Sequence, residues 1–340
     1  SDDMVRIKDI AKECGVSTAT VSKALNGYGD VGPETAARIK QTAMRLHYMP
    51  NAAARMLKTN ISHNIGVVFE DETMSGLTHE FFSYILNSAK NELEDHGYDI
   101  TFISQKVGGN SFLQHCRYRR VDGVLIASVD FTNPQVRELV MSEFPTVTID
   151  YAFDSHSCVM SDNASGAFDL VSYLYQMGHR KIAFIHGEMT SVTIKRLTGF
   201  YKAVKDLKLR IPEEYVVESR YHDIRKTAER LRELLNLQDP PTAIMFPDDY
   251  TYIGCLQVFE NLGVSIPDDL SVVGYDGIPM SQMIRPKLTT LKQDTEEIGR
   301  VSARELIQII ENPKNVIVEE LMVSGSLVKG ETVKRLSRIN

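Results

Sequence analysis

The chain has 340 residues, 43% of them hydrophobic and 24% charged, with a net charge of −7 and four cysteines. This length allows two or three compact units, each with its own core, and the composition is that of a globular protein. There is no apolar run long enough for a membrane span, no apolar secretion core at the start, and no CxxC or Cys/His spacing around Cys14, Cys116, Cys158 and Cys255, which read as reduced thiols.

Ser1, Asp2 and Asp3 ahead of Met4 read as an added leader and stay outside the fold reasoning. Charge is unevenly spread. Residues 1–60 carry a net +3 and residues 61–340 a net −10, so a small basic head precedes a large acidic body. In the head, Ile7, Ile10 and Ala11 recur at helical spacing, and Gly15 ends that helix. Ser17 suits the N-cap of a second helix, with Val21 and Leu25 on its buried face. After NGYGDVG, Pro33 stands where a third helix begins, with Ala36, Ile39, Ala43 and Leu46 as its apolar stripe.

Two short helices joined through Cys14-Gly15-Val16 fit a helix-turn-helix. Ala11 permits close crossing, Gly15 turns the chain and Val16 plugs the angle. Ser17 to Asn26 is then the recognition helix. Its outward Thr18 and Ala19 suit a thymine methyl, Lys23 suits guanine O6 or N7, and Ser22 joins them. The competing reading is a plain three-helix cap or dimerisation unit. NAAARMLKT, residues 51–59, is a helix of about two turns, too short to be stable alone, and Asn60-Ile61-Ser62 reads as linker.

From Ile65 short apolar runs alternate with amphipathic helices: NIGVVF, 78–96, DITFIS, 111–118, DGVLIAS, 133–142, PTVTID. A second series runs 164–177, KIAFIHG, 191–207, EYVVES, 223–236, TAIMFP, 251–262, LSVVGYDG. This predicts an α/β fold of two similar subdomains, each a parallel sheet covered by helices on both faces, with ligands beyond the carboxyl ends of the strands. Strand-like pieces at 288–294 and 316–328 flank a helix at 295–311 and let the chain cross back. A GxGxxG after a strand, a P-loop, GxSxG and metal spacing are all absent, which argues against an enzyme. His179 and His186 read as structural.

VRIKDIAKECGVSTATVSKALNG, followed by YMPNAAARMLKT, resembles the head of the LacI/GalR family of bacterial transcription repressors. VDGVLIAS, DNASGAFDLVSYLYQMGHRKIAFIHG, RLTGF, TAIMFPDD, IPDDLSVVGYDG and RPKLTTLKQD resemble further family blocks in family order. The resemblance covers nearly the whole chain. It implies a helix-turn-helix head over 4–50, a hinge helix and linker over 51–60, and an effector and dimerisation body over 61–340. The body is then similar to periplasmic sugar-binding proteins, with doubly wound subdomains at about 61–161 plus 294–323 and 162–293 plus 324–336. For DNA the implied residues are Ser17, Thr18, Ala19, Thr20, Ser22, Lys23, Asn26, Tyr48, Asn51, Arg55 and Leu57. Leu57 matches a wedge that kinks the duplex from the minor groove, at a central CG step in the family.

For the effector the implied residues are Phe81, Phe82, Ser128, Asp150, Ile194, Tyr221, Asp249, Asp276 and Gln293. Tyr221 is expected to stack on the ligand, one of Phe81 and Phe82 to face the cleft, and Asp249 to contact ligand or cap the helix after it. Arg196 in RLTGF reads as structural. Ile194 stands where sugar-binding members carry Arg, and Asp248-Asp249 where they carry Asn-Asp. A lost cation and a gained carboxylate disfavour an anionic ligand and favour a neutral sugar, or even a cation. Residues 105–120 form a shorter segment than usual, which leaves the rim near Ala127 and Ser128 open.

The expectation is therefore a cytoplasmic, ligand-responsive repressor. It is a homodimer that reads pseudo-palindromic double-stranded operator DNA, with no catalytic residue, cofactor, metal or membrane partner. The other reading is a sugar-binding module without a transcriptional role, which fits the body but not the head.

Overall fold

A computed structural model of the chain describes residues 4–71 and 73–337; the leader Ser1 to Asp3 lies outside the described residues. Contacts divide the chain between Ser62 and His63 into two compact units.

The first unit holds four helices: α1 (Ile7–Cys14), α2 (Thr18–Leu25), α3 (Pro33–Arg45) and α4 (Ala52–Thr59). Gly15 ends α1 in the left-handed conformation, at φ 65°, where a side chain would be strained. The Ser17 hydroxyl caps α2 by accepting from the Thr20 amide at 3.1 Å. Ile10, Ala11, Cys14, Val21, Ala24, Ile39 and Ala43 form the core. Ala24 thus takes the buried place expected of Leu25, which packs at the margin. The Arg38 guanidinium donates to the Cys14 carbonyl at 3.0 Å, satisfying an orphan acceptor at the end of α1. Helix α4 is capped by Asn51, whose side-chain oxygen accepts from Ala53 at 3.0 Å and Ala54 at 3.3 Å, yet α4 buries none of its residues.

The second unit runs β1 (Asn64–Phe69), α5 (Glu80–Asp95), β2 (Asp99–Ile103), α6 (Phe112–Arg119), β3 (Gly123–Ser128), α7 (Pro134–Val140), β4 (Thr146–Ile149), β5 (Cys158–Ser161), α8 (Asn163–Gln176), β6 (Ile182–His186), α9 (Ser191–Asp206), β7 (Val216–Glu218), α10 (Ile224–Leu235), β8 (Ala243–Met245), α11 (Asp249–Gly254), α12 (Leu256–Leu262), β9 (Ser271–Asp276), α13 (Met280–Met283), β10 (Thr289–Lys292), α14 (Thr295–Glu311), β11 (Glu320–Val323) and β12 (Ser326–Val328). Among the described residues there are two six-stranded sheets, ordered β2-β1-β3-β4-β5-β11 and β7-β6-β8-β9-β10-β12. The two orders are the same arrangement repeated, so β4 and β9 are equivalent strands. The first sheet is parallel throughout. The second differs only in β12, which runs antiparallel to β10.

Each sheet is buried on both faces, and its central strands are continuous apolar runs such as the fully buried Ile182–His186. The chain passes between the subdomains three times: from β5 to α8, from β10 to α14, and through Ser324-Gly325 between β11 and β12. Helices α8 and α9 approach closely because Gly199 lies against the Ala164 carbonyl, where a Cβ would collide.

Several elements differ from expectation, among them the piece at 316–328, which is two strands in different sheets, β12 running antiparallel. Strand β5 has no alternation to announce it, since all four of its residues are buried. The helix expected over 251–262 begins earlier and is two helices, broken at Cys255. All four cysteines are buried and unbridged. Among the described residues, no helix is long and apolar enough to cross a membrane.

Candidate DNA-reading head and effector cleft

In the head, Ser17, Thr18, Ala19, Lys23 and Asn26 are exposed, and Thr20 and Ser22 are half-buried. Several of these polar groups also serve the helix. Ser17 and Thr20 share a 2.8 Å hydroxyl contact, and the Asn26 amide donates to the Ser22 carbonyl at 2.8 Å. Thr18, Ala19 and Lys23 remain as the outward candidates for base contact. Tyr48 packs against the core, while Asn51 and Arg55 are exposed. Leu57 is 72% exposed on α4. Helix α4 buries none of its residues, so Leu57 supports no core contact there.

In the body, the equivalent strands β4 and β9 each deliver a carboxylate at the carboxyl end. Asp150 follows β4 and Asp276 ends β9, and both have positive φ, 59° and 116°. Such backbone is strained for a side chain and clusters at functional sites. Both acids interact electrostatically with one buried guanidinium, Arg196 of α9. Arg196 Nε donates to Asn163 Oδ1 at 2.9 Å and a terminal nitrogen donates to the Pro247 carbonyl at 3.3 Å. Its guanidinium carbon lies 3.5 Å from the Tyr275 ring centroid and 5.3 Å from that of Tyr221. Burial opposes the Arg196 charge, but Tyr221, Tyr275, Asp276 and Asp150 outweigh it and its pKa is raised.

Burial also raises the pKa of both acids, against the pull of Arg196. Asp150 accepts from the Ser161 amide at 2.7 Å, and Asp276 accepts from Gln293 Nε2 at 2.8 Å. Gln293 is 5% exposed, and its Oε1 is buried without a partner.

A second group spans the cleft. His79, at the N-cap of α5, stacks on His222 from the other subdomain at 4.1 Å between centroids. His222 in turn stacks on Tyr250 at 3.5 Å. His222 Nδ1 lies 3.1 Å from the Ser75 hydroxyl, and its Nε2 is buried without a partner. Burial, helped by His222, pushes the His79 pKa down to about 4. Burial lowers that of His222 too, against Asp248, Asp71 and Glu80. Both shifts favour the neutral rings, which suits their stacking.

The sequence-derived effector residues distribute unevenly around these groups. Asp150, Asp276, Gln293 and Tyr221 come together near Arg196. The Tyr221 ring fits over Gly187, where a Cβ would collide, and its hydroxyl meets Thr193 at 2.7 Å. Phe82 is half-buried beside His79, with centroids 4.8 Å apart. Phe81 instead belongs to the core of its sheet and leaves the candidate set. Ser128 is half-buried and donates to the Glu70 carbonyl at 3.0 Å, which ties the ends of β3 and β1 together. Ile194 is 52% exposed on α9.

Asp249 also leaves the set. It has no exposure, and its carboxylate accepts from Thr290 at 2.6 Å and from the Ile278 amide at 3.0 Å. The cap of α11 is Asp248, which accepts from Thr251 at 2.7 Å. His179 is structural as read, held between Thr242 and the Lys334 carbonyl at 2.8 Å each.

Two residues of the cleft escaped the sequence reading, His79 and His222; Arg196 is buried and bonded to Asn163 and the Pro247 carbonyl, structural as read. Both histidines immediately precede the first or capping residue of a helix that follows a strand, β1 to α5 and β7 to α10. That crevice position is the available signal.

Burial moves the Asp249 pKa from 3.8 up to about 7, against the hydrogen bonds from Thr290 and Ile278. Between these values the folded state holds a proton that the unfolded state has released, so stability falls as pH rises through the window. The Asp249→Asn variant is expected to lack this fall and to exceed the parent at pH 8, by at most about 4 kcal/mol. Urea unfolding at pH 5 and 8 checks this; equal pH dependence in both proteins would refute it.

Residues 6–51 match the family model described as bacterial regulatory proteins, lacI family, and residues 171–333 match periplasmic binding protein-like domain. The probable HTH-type transcriptional repressor ExuR of Bacillus subtilis (strain 168) is 31% identical over 339 residues, 98% of this chain and 100% of the relative. The HTH-type transcriptional repressor PurR of Histophilus somni (strain 129Pt) is 30% identical over 340 residues, with the same coverage. Among solved structures, the Lac repressor dimer bound to operator and the anti-inducer ONPF superposes with a TM-score of 0.79 at 25% identity, over 98% of this chain and 100% of that one. A transcriptional regulator CelR–cellobiose complex gives 0.71 at 25% identity, over 96% and 99%.

Proposed function

The chain belongs to the lacI family of bacterial regulatory proteins, and from that premise we propose that it is a repressor whose operator affinity is set by a neutral sugar in the cleft of the body. Its relatives are DNA-binding repressors rather than enzymes. The helix-turn-helix head removes the alternative of a sugar-binding module without a transcriptional role.

The observation that carries the ligand class is the pairing of Asp150 and Asp276, from equivalent strands, around one Arg196. The guanidinium already donates to Asn163 and the Pro247 carbonyl and lies in the field of both acids, so an anion gains little from it. Two carboxylate acceptors, the orphan Gln293 Oε1 and the His222 ring offer acceptors for hydroxyls beside a flat stacking surface. The cellobiose complex of a structural neighbour is consistent with this reading. Effector and operator are linked reciprocally: each shifts the affinity of the other by one coupling free energy.

The protein acts in the cytoplasm as a homodimer on a pseudo-palindrome. Helices α5 and α11–α12 carry the interface, where Tyr84 and Leu262 are exposed apolar groups.

Thermal shift against neutral sugars, sugar phosphates and nucleobases tests the ligand class. A neutral sugar at 100 times its Kd is expected to add about 2.7 kcal/mol to stability, and the same sugar is expected to change affinity for an operator selected from random duplexes. Shifts confined to phosphates or nucleobases would reject the neutral-sugar reading.

A further inference from the structure

Two helix N-termini meet at the ring stack of the cleft. His79 caps α5, and its Nδ1 accepts from the Phe82 amide at 3.4 Å. His222 stands one residue before Asp223, the cap of α10, with φ at 61°. That left-handed backbone is strained for a side chain, so the surroundings impose the placement of the ring. The His222 ring stacks on His79 of the other subdomain, 18° from parallel, and on Tyr250 of its own, 15° from parallel. The Ser75 hydroxyl, 3.1 Å from His222 Nδ1, adds a second tie across the cleft. The parallel planes keep the ring nitrogens from converging on one metal ion, and among the described residues no group of His, Cys, Asp and Glu is placed to hold one.

A proton changes each of these contacts. On His79 it occupies the nitrogen that receives the Phe82 amide, which breaks the cap and sets a cation against the positive end of α5. On His222 it is opposed by the N-terminus of α10 but drawn by Asp248, Asp71 and Glu80, so the first proton goes there. A second proton, on His79, is drawn by Asp71 but faces a stacked cation 4.1 Å away in a buried setting.

We propose that this stack is a proton-sensitive clasp on the effector cleft: with at most one proton on the two imidazoles it holds the subdomains together, and a second proton drives them apart. The clasp rests on the proposed function only in taking this cleft as the effector site. Opening by acid then acts on the same equilibrium that an effector shifts, and through it on the operator. The sign follows from His79, whose pKa is about 4 in the stack and about 6.5 once free. The closed form is favoured above this window and loses ground as pH falls through it.

The chain has no tryptophan, so Tyr250→Trp puts a single indole against His222 in the full chain. Its emission is read from pH 8 to pH 3.5 beside far-ultraviolet circular dichroism. The expected result is short-wavelength emission at pH 8, as of a packed indole, and a move to long wavelength on acidification, with a midpoint between about 6.5 and about 4 and the helical signal retained. Wavelength is the readout because a protonated His222 alone dims the indole without wetting it. Adding His79→Asn, which can still cap α5 but takes no proton, is expected to hold the emission at its pH 8 position throughout. His222→Phe, a ring without a basic nitrogen, is expected to do the same.

Short-wavelength emission of the reporter at every pH would overturn the clasp. So would a shift that survives either added substitution, or one that appears only as the helical signal is lost, since the stack would then be ordinary packing. Long-wavelength emission already at pH 8 would overturn it too, because the rings would not be closed over one another. A thermal-shift panel that rejects neutral sugars leaves these results standing, and an unmoved indole leaves the sugar reading standing, so the two fail separately.

Discussion

Replacing Leu57 by alanine is expected to lower operator affinity by about two to four orders of magnitude while leaving effector binding intact. The size follows from burial. Moving a leucine side chain from water into an apolar contact is worth about 1.5–3 kcal/mol, and the proposed dimer would insert two, so about 3–6 kcal/mol would be lost, each 1.4 kcal/mol being tenfold. Leu57 is 72% exposed in the free chain and supports no core, so the substitution removes nothing that the head needs to fold. Alanine also keeps helix propensity, so the loss reports the side chain and not the helix; Leu57→Gly adds about 1 kcal/mol for the helix itself. Titration of operator DNA, with effector affinity measured in parallel, checks the point. Operator binding within threefold of the parent would remove the wedge.

Arg196→Met is expected to destabilise the body by about 3–5 kcal/mol near neutral pH, the usual cost of stranding buried charges, and to abolish effector binding. Its pH dependence is the sharper signature. The pKa values of Asp150 and Asp276 are already raised by burial, with Arg196 pulling the other way; without the guanidinium they rise further. A carboxyl with a raised folded pKa favours the folded state at low pH, and that advantage is lost as pH rises from the unfolded value through the folded one. The deficit of the variant therefore shrinks on acidification and grows as pH rises. Chemical denaturation at several pH values measures it. A deficit independent of pH would mean that Arg196 contributes packing rather than charge balance.

Most of the secondary structure was legible in the sequence. Ser17, Gly15 and Pro33 mark helix ends through local chemistry that acts wherever the residues sit, and the caps appear where they were read. The β/α alternation was equally plain. What was hidden depends on partners far along the chain. Strand β5 is defined by its neighbours β4 and β11, not by any pattern of its own. The breadth of the cleft was also hidden. His79 and His222 are 143 positions apart and carry no common motif. Arg196 could be placed in a block but not among two acids and two tyrosines. Asp249 was misplaced for a related reason: of two adjacent aspartates, one caps α11 and the other turns into the core, and only the position of Thr290 decides which.

The three passages of the chain between the sheets limit how the body can be cut. Neither subdomain is one continuous stretch of sequence, so a construction that expresses residues 63–161 alone lacks β11 and helix α14, which packs against α5. Because β11 and β12 are separated by two residues, a stop codon near position 316 strips the outer strand from both sheets at once. Truncations ahead of β11 should therefore be as damaging as those in the middle of the body, and fusion partners are better attached to the amino-terminal side of the head than inserted between the two halves of the body.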